Sequence, residues 1–268
     1  HPSIFFEHSI HEQVMPSALR AGLKLINTQI VIEHYGYANP DDIQKKARRN
    51  ISLLKRELEK KKDDPVLIIE IADSYSILHD KKCAQHWYEK LISELLFIKR
   101  FPVIASQAYM GLGNICNSEE KYDLGEQFHR KAQDLCPERT DTLYCIAVSQ
   151  EMLGKSKDAI QTLQKILSMR YVPLQVGVDY RETKLKTYLR LARLYNDFRY
   201  DTKIKDLCKQ ALIEFEERPE IYNMAGTGNF QLNDLMEALH MFEKSIKCIK
   251  EGNIDAYIGL CMIYIRAE

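Results

Sequence analysis

Long apolar runs, paired cysteines and an excess of charge of either sign are all missing from this sequence. No apolar stretch approaches the roughly 20 residues that a membrane-spanning helix needs, and no signal-peptide pattern is present. A soluble, cytoplasmic protein with no membrane span is the expectation. Lysine plus arginine and aspartate plus glutamate balance at 38 each, which leaves no global field to gather nucleic acid or an anionic membrane, so no nucleic-acid partner is expected. The seven cysteines (Cys83, Cys116, Cys136, Cys145, Cys208, Cys248, Cys261) form no C-x-x-C pair, and most sit inside apolar helical patterns. They read as reduced thiols rather than a disulfide framework or a zinc site. An initial methionine is missing too. The chain starts on His1-Pro2 and stops at Arg266-Ala267-Glu268 inside a helical pattern, so both ends are expected to be cut from a longer polypeptide.

With 45% hydrophobic residues in 268, the chain can bury a substantial core. Residues 1–40 differ in texture from the rest. Ser3-Ile4-Phe5-Phe6 and Gln29-Ile30-Val31-Ile32 read as two short strands, with Met15-Pro16-Ser17, Ala21-Gly22 and Ala38-Asn39-Pro40 as turns. Two short strands make no stable sheet, so this segment is expected to be the tail of a larger one. Residues 41–62 read as a basic connector helix with one apolar stripe, Ile43, Ala47, Ile51, Leu54 and Leu58. Its cationic face fits either a solvated surface or a nucleic-acid or phosphate patch.

From residue 63 a repeat takes over. In residues 65–99, Ile68, Ile71, Ala72 and Tyr75 share one face of a first helix, and Ala84, Tyr88 and Leu91 share one face of a second. The small residue of each first helix recurs as Ala72, Gly113, Ala147, Ala192, Gly226 and Cys261, at intervals of 41, 34, 45, 34 and 35. Each second-helix marker (Ala84, Gly125, Ala159, Ile204, Ala238) lies 12 residues after its first. The intervals of 41 and 45 are assigned to longer turns around Lys99-Arg100-Phe101-Pro102 and residues 170–179. A constant offset on a base period of 34 resembles the tetratricopeptide repeat, as five hairpins plus the first helix of a sixth over residues 63–268. Such hairpins stack into a superhelix whose concave face is lined by first helices and suits a peptide or protein partner. Helical phase points Asp73, Asn114, Asn117, Tyr144, Arg193, Asn196 and Asn223 at that face, where they either grip an extended backbone or simply keep the surface soluble.

Most histidines look scattered, with His79, His86, His129 and His240 assigned to turns or exposed helix faces. The N-terminal ones are grouped: His11-Glu12 follows one expected strand and His34 ends the other. These residue types suit a divalent cation and a general base, or equally a structural hydrogen-bonded pair.

Three ordered motifs then stand out: F-F-x-x-S-I-H-E-Q at 5–13, I-x-I-x-H-Y-G-Y at 30–37 and K-x-x-R-N-x-x-L-L at 46–54. Together they resemble the end of a family 2 glycosyltransferase domain, which in one bacterial branch is followed directly by tetratricopeptide repeats. That resemblance implies a GT-A α/β fold and transfer from a nucleotide sugar with Mg²⁺ or Mn²⁺. It assigns Glu12 as the catalytic base with His11 beside it, and His34 near the metal or diphosphate. The family's D-x-D metal motif occurs nowhere in the chain. The expected fold is thus mainly α: a tetratricopeptide α-α superhelix preceded by a short β-containing remnant of a GT-A domain. The expected function is the C-terminal portion of a glycosyltransferase, inactive without its upstream half, whose repeats bind an acceptor or partner or mediate a homodimer. The alternative is a non-catalytic tetratricopeptide scaffold for protein–protein interaction.

Overall fold

The structure, a computed structural model, describes residues 3–5, 14–24, 40–172, 178–216, 218–249 and 252–267. Among them are fourteen helices and no strand. The chain divides into two compact units, His1–Pro137 and Glu138–Glu268.

The first unit contains α1 (Met15–Arg20), α2 (Pro40–Lys60), α3 (Pro65–Ile77), α4 (Lys81–Ile92), α5 (Leu95–Arg100), α6 (Pro102–Ser118) and α7 (Tyr122–Leu135). The hairpins are α3–α4 and α6–α7. Asp64 caps α3 by accepting from the Val66 amide at 2.9 Å with Pro65 in the first turn, and Asp80 caps α4 by accepting from the Cys83 amide at 3.1 Å. The basic helix α2 is more than a connector. It lies on α3 as the second helix of a preceding hairpin would, burying Leu54 against Leu67 and Ile71. Lys55 closes that seam, donating to the Tyr75 hydroxyl at 2.8 Å, while Lys55 and Lys90 lie 6.0 and 5.7 Å from the Trp87 ring centroid.

The second unit contains α8 (Thr140–Met152), α9 (Ser156–Ser168), α10 (Tyr180–Asp197), α11 (Asp201–Glu214), α12 (Pro219–Gln231), α13 (Leu235–Cys248) and α14 (Ile254–Ala267). Its hairpins are α8–α9, α10–α11 and α12–α13. First helices neighbour first helices, with α10 touching α8 and α12, and α12 touching α14. One core, including Ala147, Leu163, Leu191, Ala211 and Ile221, each fully buried or nearly so, runs from α8 to α13, and a second cluster of Ala238, Phe242, Ala256 and Ile263 joins α13 to α14.

All five markers with a second helix beside them are buried, and each hairpin turns the same way. The residue seven after the marker (His79, Glu120, Gly154, Arg199, Asn233) is left-handed, with φ of 58°, 61°, 73°, 55° and 63°. The next amide reaches back to the fifth carbonyl before it in every case, as from Asp80 to Tyr75 at 3.0 Å and from Lys155 to Gln150 at 2.8 Å. This double-bonded left-handed stop ends the first helix and fixes the 12-residue offset. Between hairpins a glycine lets the next helix approach. A Cβ at Gly111 would overlap the Tyr88 ring, and one at Gly259 would overlap the Phe242 ring; within its own hairpin, Gly226 makes the same room for Phe242.

Three sequence expectations are corrected. The described part of the first expected strand, residues 3–5, is turn and irregular chain. The amide and carbonyl of Phe5 both bond to the Ser17 hydroxyl, at 3.1 and 2.7 Å, which takes up the groups a ladder would need. The β-containing remnant therefore has no counterpart among the described residues; Phe6 and the strand at Gln29-Ile30-Val31-Ile32 lie outside them. Met15-Pro16-Ser17 starts helix α1 instead of a turn, since a proline in the first turn forfeits no helical hydrogen bond. The interval of 41 holds the extra helix α5 rather than a longer turn, with Leu95 and Leu96 exposed.

Glu70 on α3 is half-buried. Burial, then the charges of Asp73, Asp64 and Glu57, raise its carboxyl from 4.5 to about 7. Between those values the unfolded chain sheds this proton first, so stability falls as pH rises through the window. Glu70→Gln is expected to leave urea stability unchanged near pH 4 and to raise it at pH 8 by about 1 kcal/mol after discounting for solvent screening. The turns give a second expectation. Glu120→Gly removes a left-handed non-glycine and should raise stability in urea unfolding by about 0.5–1 kcal/mol, whereas Gly154→Ala should lower it by about 1–2 kcal/mol.

Candidate functional site

The polar residues that helical phase picks out lie along the first helices, and in the first unit they border the seam with their own second helices. In the first unit they are largely engaged with their own neighbours. Asp73 accepts from the Tyr88 hydroxyl at 2.6 Å and from the Gln107 amide at 3.4 Å. Burial and the Asp73 charge push the Tyr88 phenol far up, so it stays a donor. Asn114 Oδ1 lies 3.2 Å from His129 Nε2, and the Asn117 carboxamide folds onto Gly125, where a Cβ would displace it. These three side chains tie α3, α4, α6 and α7 together.

His129 was assigned to a turn or an exposed face, yet it is fully buried. It sits sixteen residues after its marker, the slot that Tyr88, Leu163 and Phe242 fill in other hairpins, and its ring occupies the space that a Cβ at Gly113 would need. The repeat register, applied to second helices as well as first, would have found it.

In the second unit, α8 and α10 share an ion-pair cluster. Arg190 donates to Glu151 Oε2 at 2.6 Å and to the Tyr144 hydroxyl at 3.1 Å, with its guanidinium 5.3 Å from the Tyr144 ring centroid. Arg193 donates to the other Glu151 oxygen. Two guanidiniums on one carboxylate leave a net positive charge, and the Arg193 side chain is 56% exposed against 22% for Arg190. Arg190 holds the carboxylate; Arg193 is the one within reach of a ligand. Neither Glu151 nor Arg190 was singled out from sequence, because their pairing depends on α8 and α10 packing side by side.

Two amides continue this face. The Asn223 amide donates to Asn253 Oδ1 at 2.9 Å, and Asn253 donates to the Ser245 hydroxyl at 3.0 Å. That chain fixes the Asn223 carboxamide and leaves its Oδ1, like Asn196 Oδ1, buried with no hydrogen-bond partner. A buried acceptor without a donor costs about 1–3 kcal/mol. On the second-helix side, a groove of about 470 Å³ is lined by Gln164, Leu167, Tyr195, Lys203 and Asp206, and its polar groups are partly spent on each other, as Gln164 donates to the Tyr195 hydroxyl at 2.7 Å.

Glu12, His11 and His34 lie outside the described residues. Among those described, no group of three or more His, Cys, Asp or Glu side chains could hold a metal ion, and no helix is long and apolar enough to cross a membrane.

No protein-family model and no curated protein matches the chain. Solved structures do match. The C-terminal part of a TPR repeat-containing protein from Cytophaga hutchinsonii has a TM-score of 0.59 at 20% identity, covering 86% of this chain and 84% of that one. YrrB, described as a TPR protein with an unusual peptide-binding site, has a TM-score of 0.53 at 18% identity over 76% of this chain and 95% of its own. PilW, a type IV pilus biogenesis factor, has a TM-score of 0.58 at 14% identity over 75% and 84%. With the buried markers, the constant 12-residue offset and the repeated left-handed turn, these likenesses establish a tetratricopeptide fold.

Proposed function

We propose that the chain is a protein-interaction scaffold whose first-helix face on α8, α10 and α12 takes an extended peptide bearing a carboxylate. The observation that carries this reading is the half-exposed Arg193, the second of two guanidiniums on the single carboxylate of Glu151. Arg193, already one of two cations on a single carboxylate, takes the acid. Repeat stacks of this kind offer surface and spacing rather than a reacting centre. The peptide-binding site named for YrrB supports the reading by analogy of fold.

The glycosyltransferase reading rests on Glu12, His11 and His34, with Mg²⁺ or Mn²⁺ and a nucleotide sugar as its implied requirements. All three residues lie outside the described ones, so it stands on the sequence motifs. The described residues favour the scaffold.

Fluorescence anisotropy with matched free-acid and amidated peptides tests the scaffold. The free acids should bind more tightly, and Arg193→Ala should remove that preference and weaken binding about tenfold or more, the worth of a charge-assisted hydrogen bond. If Arg193→Ala, folded by circular dichroism, still distinguishes acid from amide as before, Arg193 is not the carboxylate contact.

A further inference from the structure

Helix α5 is an insertion whose two sides differ. It fills the interval of 41 residues, and among the described residues it touches no helix besides α4 and α6. Phe97 faces inward, packed on the core that α3, α4 and α6 share. The opposite side belongs to Leu95, Leu96, Lys99 and Arg100, because positions four apart on a helix lie one above the other. All four are exposed, with Leu95 at 67% and Leu96 at 80%. The helix lies inside the chain, with the complete hairpin α6–α7 after it, and that hairpin leaves this side uncovered.

The surroundings are basic. Helix α2 ends at the same edge of the unit, where the Asp63 carboxylate just beyond it lies 3.4 Å from the Lys90 ammonium in the last turn of α4. Lys60 and Lys62 precede that contact in the chain, and Lys99 and Arg100 follow it. Among the described residues no carboxylate lies within ion-pair distance of any of these four, whereas Lys61 is spent on Glu57 at 3.1 Å and Lys90 on Asp63. Arg100 sits 5.2 Å from the Phe101 ring centroid, a contact that leaves its charge uncompensated. Glu94 is the exposed acid at the start of α5. The balanced total charge thus hides a local group of unpaired cations around two bare leucines.

We propose that this edge of the first unit seats on an anionic lipid surface, with Leu95 and Leu96 entering the acyl boundary and Lys60, Lys62, Lys99 and Arg100 meeting the headgroups. Area favours lipid over a protein partner. The two leucines expose on the order of 300 Å², well short of the ~800 Å² that each side of a standard protein interface contributes. They also project from a six-residue helix rather than line a groove, which suits a fluid boundary that has no fixed shape to match. Charge selects anionic lipid: each Lys or Arg held near such a surface strengthens binding about fivefold. Apolar insertion joined to basic residues is the two-part attachment of a segment that lies on a membrane without crossing it. The attachment is independent of the peptide reading, which uses helices of the second unit.

Flotation of the 268-residue chain with phosphatidylcholine vesicles containing about 30% phosphatidylserine tests it, at millimolar lipid, because two leucines give less than the ~10⁴ M⁻¹ of a single myristoyl chain. The chain should float with these vesicles, stay behind with pure phosphatidylcholine, and lose most of its binding when salt is raised to about 0.5 M. Leu95→Ser with Leu96→Ser should cut partitioning about tenfold, and Lys99→Glu with Arg100→Glu should cut it by about tenfold or more. All four side chains are exposed, so circular dichroism should not change. Lys99→Arg with Arg100→Lys should keep binding. A chain that fails to float on the anionic vesicles overturns the proposal. So does flotation that the leucine pair does not reduce, equal flotation on neutral vesicles, or a protein that binds at Leu95 and Leu96 where vesicles do not.

Discussion

Every hairpin depends on one close approach: a small residue on the first helix faces a small or branched residue on the second, near enough that neither helix can be moved outward without opening a void. The residue sixteen positions after the marker then fills the space the markers leave. Tyr88, His129, Leu163 and Phe242 do this with quite different side chains, all buried. Where the following helix also approaches, a glycine admits it, as Gly111 does for Tyr88 and Gly259 for Phe242. The core is thus assembled from nearest-neighbour contacts, and its size grows by repetition rather than by long-range pairing.

The same economy governs the polar residues. Asp73 and Asn114 occupy positions that look outward-facing by phase, but the tight packing brings Tyr88 and His129 within hydrogen-bond distance of them, and their capacity goes into holding helices together. The ion-pair cluster of the second unit differs in being asymmetric. Arg190 completes the carboxylate of Glu151, and Arg193 is left half in solvent.

How much of this was legible in the sequence follows from what each feature depends on. The hairpins, their offset and the buried markers rest on local periodicity, which is written directly in residue spacing. Helix α5 was hidden because Leu95-Leu96 look like core residues and are exposed instead. The first expected strand failed because a side chain, Ser17, claimed the backbone of Phe5 from twelve residues away. Glu151 and Arg190 meet only when two first helices lie side by side, thirty-nine residues apart in the chain. Of the residues expected to work in sugar transfer, none falls among those described.

The left-handed turn has a consequence for how such a chain can change. Because that stop fixes the distance from marker to marker inside a hairpin, any insertion or deletion there would rotate the second helix and expose its small residue. The connections between hairpins carry no such constraint, and both departures from the base period, at residues 95–100 and 170–179, fall in them. In each unit these connections emerge at the end of the hairpins opposite the tight turns. Evolution, or an engineer grafting a loop, therefore has one permissive edge on which to add chain and one that tolerates none.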